Sequence, residues 1–116
     1  MDRQFTDIAH EIYRDLGPGY SEAVYHRAYE VLLRENCIPY ETERIVPILF
    51  REHTIGNFRA DLIVNGTTIL ELKAVKTLTD SFVQQLKNYL KHTGLLEGYL
   101  INFGPERCEI SIVNSK

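Results

Sequence analysis

Glu71 and Lys73 stand one strand repeat apart in Ile69-Leu70-Glu71-Leu72-Lys73-Ala74-Val75, a run otherwise aliphatic and free of Gly and Pro. In an extended strand alternate side chains share a face, so Ile69, Glu71, Lys73 and Val75 project to one side and Leu70, Leu72 and Ala74 to the other. Upstream, Asp61 opens a second apolar run, Asp61-Leu62-Ile63-Val64. A carboxylate held among such neighbours costs on the order of several kcal/mol of desolvation unless it is paired or holds a metal. Asp61 and Glu71, both hard oxygen donors, suit Mg²⁺ or Mn²⁺, with a backbone carbonyl and water completing the shell. Lys73, on the same face as Glu71, would then lie beside the attacking water and a phosphate oxygen. The cation lowers the pKa of that water and neutralises the phosphate, while the ammonium stabilises the nucleophile or the charge that develops on phosphorus. That division of labour is phosphodiester hydrolysis.

Two more polar residues interrupt apolar patterns. Glu22 falls three residues before Tyr25 and seven before Tyr29, and Gln85 falls three after Phe82 and four before Tyr89, so each shares a helical stripe with aromatic residues. Whether these groups meet depends on strand register. A flush two-residue hairpin at Asn65-Gly66 would pair Asp61 with Leu70 and leave Glu71 on the wrong face. A shared site requires Asp61 opposite Glu71, Leu62 opposite Leu70 and Ile63 opposite Ile69, and hence a three-residue loop (Asn65, Gly66, Thr67) or another one-residue bulge.

The elements that must position these residues follow from periodicity. Phe5, Ile8, Ala9, Ile12, Tyr13 and Leu16 form one apolar helical stripe, ended by Gly17-Pro18-Gly19. A second helix, with Ser21 as N-cap, runs to about Asn36 on a stripe of Tyr25, Ala28, Tyr29 and Leu32. Strands are expected over about Tyr40–Phe50, with Pro47 marking an edge or bulge, and about Ile55–Val64, then in the Ile69–Val75 run. A third helix covers about Ser81–Thr93, stopped by Gly94, and two strands follow near Gly98–Phe103 and Cys108–Val113. The order α-α-β-β-β-α-β-β, with no repeat or linker, reads as one α/β (α+β) domain over residues 1–116, a mixed sheet flanked by helices.

Bulk properties narrow the classes. With 116 residues, 44% of them hydrophobic and 25% charged, the chain has room for a core but not for a catalytic domain and a separate recognition domain. No apolar run is long enough to span a bilayer and the first residues do not read as a leader, so the expectation is a cytoplasmic protein without a membrane partner. The net charge of −3 argues against a strong, unassisted grip on nucleic acid, which relies on Lys and Arg, but leaves room for one phosphate held through a metal. Cys37 and Cys108 lack partners at zinc-ligand spacing and read as inert buried thiols, and the four histidines are assigned to the surface.

Asp61 followed by Glu71-Leu72-Lys73 resembles the D-x(n)-E-x-K signature of the PD-(D/E)XK nuclease superfamily. Gly19-Tyr20-Ser21-Glu22-Ala23-Val24-Tyr25 matches the pattern that names the GxxExxY proteins, a branch of that superfamily. Arg59-Ala60-Asp61-Leu62, Gln85-Leu86 with Tyr89-Leu90-Lys91, Thr93-Gly94-Leu95 and Asn102-Phe103-Gly104 resemble it in order and spacing as well. The resemblance implies a restriction-endonuclease-like core. It implies Asp61 and Glu71 as metal ligands, the Leu72 carbonyl as a further one, and Lys73 as the catalytic lysine. Glu22 would match an additional acid that orients water or helps a second cation, and Gln85 and Tyr89 a RecB-like QxxxY pair that supports the site and contacts substrate. Two departures stand out: Ala60 where the superfamily's name has Pro, and Phe82-Val83 where polar residues are expected.

These readings lead to a metal-dependent nuclease acting on DNA before RNA. The alternative is a catalytically silent nuclease-like binding module or subunit, and a third reading is a structural cluster in which Asp61 and Glu71 pair with Lys or Arg. An edge strand such as Tyr40–Phe50 could also support a homodimer or a protein partner.

Overall fold

The computed structural model describes residues 3–115. Helix α1, Arg3–Leu16, buries Phe5, Ile8, Ala9 and Ile12, the stripe the sequence lays out. Helix α2, Glu22–Glu35, buries Tyr25, Tyr29 and Leu33. Ser21 occupies its N-cap without a side-chain capping bond; the Ser21 carbonyl accepts the N–H groups of Val24 and Tyr25 instead. At the other end Ile38 N–H returns to the Leu33 carbonyl at 2.9 Å and Cys37 N–H to that of Arg34 at 3.0 Å, a Schellman closure with buried Ile38 and Leu33 as its apolar pair. The closure requires the left-handed backbone at Cys37, φ 57°, and holds that side chain out in solvent. Cys37 is therefore an exposed thiol and not the buried one expected.

Five strands form one sheet in the order β1-β2-β3-β4-β5: β1 Tyr40–Phe50, β2 His53–Val64, β3 Thr68–Lys73, β4 Glu97–Phe103 and β5 Cys108–Asn114. The first three form an antiparallel meander, and α3, Asp80–Thr93, is the crossover that makes β3 and β4 parallel. Pro47 lies in the edge strand β1, where its missing N–H costs no ladder bond. Near the hairpin tip Ile55 is the extra residue of a bulge, and the turn is Arg51-Glu52, both at positive φ.

The sheet separates two cores. Leu62, Leu70, Leu72, Tyr99, Ile101 and Phe103 pack against α1 and α2. Ile63, Ile69, Leu100 and Val113 pack with Leu86 and Leu90 of α3, joined by Val46, Phe58 and Ala60. This is the α+β architecture expected, with helices on both faces. Among the described residues no helix is long and apolar enough to cross a membrane.

Candidate active site

Strand alternation breaks at Asp61. Ala60 packs on the α3 side with Phe58, yet Leu62 and Val64, of the same parity, pack on the other side. The break coincides with a skipped pair between β1 and β2, where Glu43, opposite Asp61, adopts φ 56°. The β2–β3 ladder ends at the neighbouring position: Val64 pairs with Thr68, Ile63 with Ile69 and Leu62 with Leu70, and no further pair forms. Asn65 and Gly66 both take positive φ, and Thr67 N–H closes on the Val64 carbonyl at 3.1 Å, but Thr68 is the residue paired with Val64. The extra residue gives the register that places Asp61 opposite Glu71.

Beyond Leu62 and Leu70 the two strands fork, and side chains replace the ladder. Asp61 N–H donates to Glu71 Oε1 at 3.3 Å, and Leu72 N–H donates to Asp61 Oδ2 at 2.9 Å. Glu71 is only 6% exposed, and burial followed by the adjacent Asp61 charge pushes its carboxyl from an ordinary 4.5 up to about 8. Among the described residues neither carboxylate forms an ion pair. Lys73 is near enough to Glu71 to oppose that rise, but its Nζ sits over the Phe82 ring of α3, 4.9 Å from the centroid. Phe82, a departure from the expected polar pattern, thus provides the platform that holds the ammonium on the site's face.

Tyr89 stacks on Phe58 with ring centroids 3.7 Å apart, and Gln85 lies one helical turn before it on α3. Burial, then the charges of Glu71 and Asp61, raise its phenol above the ordinary value, which places Tyr89 within electrostatic reach of both acids. Gln85 is exposed and not set against the core as its stripe position suggests, because a groove opens between α3 and the β1–β2 hairpin.

Glu22 stands apart. It is exposed in the first turn of α2, a helix packed on the sheet face opposite α3, and has no hydrogen bond or ion pair among the described residues. Among the described residues no group of three carboxylate, imidazole or thiol side chains converges, so Asp61 and Glu71 form a two-carboxylate site. The other residues of its motif have structural roles: Gly19 takes φ 104°, and Tyr25 donates to the Gly17 carbonyl at 2.6 Å while stacking on Phe103.

One polar residue outside the acidic fork also shapes the site. Asn102, fully buried in β4 and paired with Lys73, accepts Val75 N–H at 2.8 Å and donates to the Val75 carbonyl and to Glu109, both at 2.9 Å. It fixes the chain directly after β3. An amide inside Gly98–Phe103, an otherwise apolar run, was the available signal. The histidines are divided: His10 and His53 are exposed, whereas His26 and His92 are half-buried, His26 against Thr42 and Glu30 and His92 against the α3 groove.

A mixed sheet with an acidic fork between its antiparallel strands and helices on both faces is a restriction-endonuclease-like, nuclease-type domain. The chain belongs to the PD-(D/E)XK nuclease superfamily, whose family model matches residues 1–113. It is similar in fold to the crystal structure of SSO0001, with a TM-score of 0.62 and 22% identity over 79% of this chain and 48% of that one. The chain thus spans about half the length of that protein (48%). No curated protein matches it.

Proposed function

We propose that this protein is a metal-dependent nuclease that hydrolyses phosphodiester bonds in DNA, with RNA as the second substrate class, and that within the superfamily it is one of the GxxExxY proteins. One observation carries the reading: Asp61 and Glu71 face each other across the fork with no ion pair among the described residues, and burial, followed by the Asp61 charge, pushes Glu71 up to about 8. Two apposed hard oxygen donors with no ion pair of their own fit Mg²⁺ or Mn²⁺. A strand residue sends its N–H and C=O to the same side, so the Leu72 carbonyl, like its N–H, is directed to the fork and supplies a third oxygen.

When bound, the cation would lower the pKa of water and neutralise phosphate charge. Asp61, Glu71 and the Leu72 carbonyl hold it. Lys73, steadied on Phe82, places its ammonium beside the scissile phosphate and stabilises the incoming nucleophile or the charge accumulating on the phosphoryl oxygens. Gln85 and Tyr89, both lining the groove beside α3, are the side chains offered to the substrate next to the two acids.

The test is calorimetric titration of Mn²⁺ into wild type, Asp61→Asn and Lys73→Ala, paired with cleavage of labelled single- and double-stranded DNA and RNA. Binding lost in Asp61→Asn, with cleavage lost in both variants, is the expected result. The acidic net charge favours one competing outcome, Mn²⁺ binding without cleavage of any substrate, which would identify a nuclease-like binding subunit. Absence of Mn²⁺ binding would overturn the metal site.

A further inference from the structure

A groove of about 510 Å³ runs between α3 and the β1–β2 hairpin, and its wall includes Tyr89 stacked on Phe58, three residues before Asp61 in β2. Asn57, Gln84, Asn88 and His92 line it, with Phe58 and Tyr89 as an aromatic wall. Among the described residues bordering it there is no Lys, Arg, Asp or Glu. A track for phosphates would carry cations, because backbone affinity comes from counterion displacement. Amides beside aromatic carbon instead match the donor–acceptor edge and π-face of a nucleobase. Gln84 Nε2 donates to Asn88 Oδ1 at 3.2 Å, which leaves the Gln84 amide oxygen as an acceptor and the Asn88 NH₂ as a donor for a ligand. An acceptor next to a donor is what a base edge needs as its complement.

We propose that this groove is a nucleobase subsite. It takes an unpaired base of the strand whose phosphate lies at Asp61, Glu71 and Lys73, pairs its edge with Gln84 and Asn88, and packs it against the Phe58–Tyr89 wall. The subsite rests on the nuclease reading and adds to it a strand class, single-stranded nucleic acid. It also supplies affinity that a chain of net charge −3 does not obtain from phosphates alone.

The test uses fluorescence anisotropy on a Lys73→Ala background in Mn²⁺, so that the strand is not consumed. The ligands are a labelled single-stranded oligonucleotide and the same strand with abasic positions; the proteins are the background and the same chain carrying Gln84→Ala and Asn88→Ala. Both substituted residues are exposed, and thermal denaturation checks that the fold persists. The background is expected to bind the abasic strand about tenfold more weakly than the normal one. The double variant, which keeps the Phe58–Tyr89 wall, should lose part of that tenfold on the normal strand and nothing further on the abasic one. Equal binding of both strands by the background overturns the subsite while leaving the nuclease reading intact. An undiminished preference for the normal strand in the double variant places base recognition elsewhere and also overturns it. No binding of either strand removes the subsite together with the nucleic-acid reading beneath it.

Discussion

Asp61 and Glu71 each hold the backbone of the other's strand: Glu71 Oε1 accepts Asp61 N–H, and Asp61 Oδ2 accepts the N–H of Leu72, the residue after Glu71. Side chains thus continue the sheet where its ladder stops. The same two carboxylates are the metal-ligand candidates, so fold and chemistry share atoms. Truncation to Ala would strip an N–H of its partner, at about 1–3 kcal/mol, whereas the amide variants Asp61→Asn and Glu71→Gln keep an acceptor.

Glu71 should make the metal-free protein less stable as pH rises from about 5 to about 8. Below its ordinary 4.5 the carboxyl is protonated in both the folded and unfolded states. Between that value and about 8 the folded protein keeps a proton that the unfolded chain gives up, so each rise in pH favours unfolding, by at most about 1.4 kcal/mol per unit. Urea denaturation across this range should show the decline, Glu71→Gln should flatten it, and Mn²⁺ should reverse it. A flat wild-type profile in EDTA would refute the prediction.

Phe82→Leu should separate the ammonium's position from the metal site. The ring supports Lys73 Nζ at 4.9 Å, and a cation–π contact of about 0.5–2 kcal/mol is lost when Leu replaces it. The expected result is cleavage slowed by about three- to thirtyfold, with Mn²⁺ affinity within about twofold of wild type. A matching fall in Mn²⁺ affinity would contradict this assignment.

Asn102→Leu should destabilise the protein by about 2–4 kcal/mol, because it strands the Val75 N–H and C=O in a buried setting and removes a partner of Glu109. Chemical denaturation measures it; a loss below about 1 kcal/mol would mean that water takes over the clamp.

Cys37→Gly should stabilise by about 1 kcal/mol, since Gly meets the left-handed backbone of the Schellman closure without the penalty a Cβ carries. Thermal denaturation in reducing buffer tests it, and a lowered Tm would refute it.

Much of this architecture was legible locally. Phe5, Ile8, Ala9 and Ile12 are buried where their helical spacing puts them, and Gly94 ends α3 in the left-handed conformation expected of a C-terminal glycine. The three-residue loop after Val64 followed from asking which register lets two carboxylates meet. Periodicity misplaced other residues. Glu22 shares a stripe with buried Tyr25 and Tyr29 and Gln85 one with half-buried Phe82 and Tyr89, yet both are exposed, Glu22 on the first turn of its helix and Gln85 beside the groove along α3. A stripe reports direction around a helix; it does not report where the covering layer ends. Cys37 read as buried because its residue type usually is, but a helix-closing backbone turned it outward.

By itself the sequence determined the elements, their order and the identity of the paired acids, because alternation, helical period and turn chemistry are properties of neighbours along the chain. It also carried the superfamily motif. The tertiary structure alone decided that strand parity breaks at Asp61, that Lys73 rests on Phe82 and not on a carboxylate, and that α2 covers the face away from the acids. It alone decided that a groove of amides lies beside them. Those outcomes depend on contacts between residues distant in sequence, where packing of two layers on a kinked, twisted sheet fixes positions that no local pattern encodes.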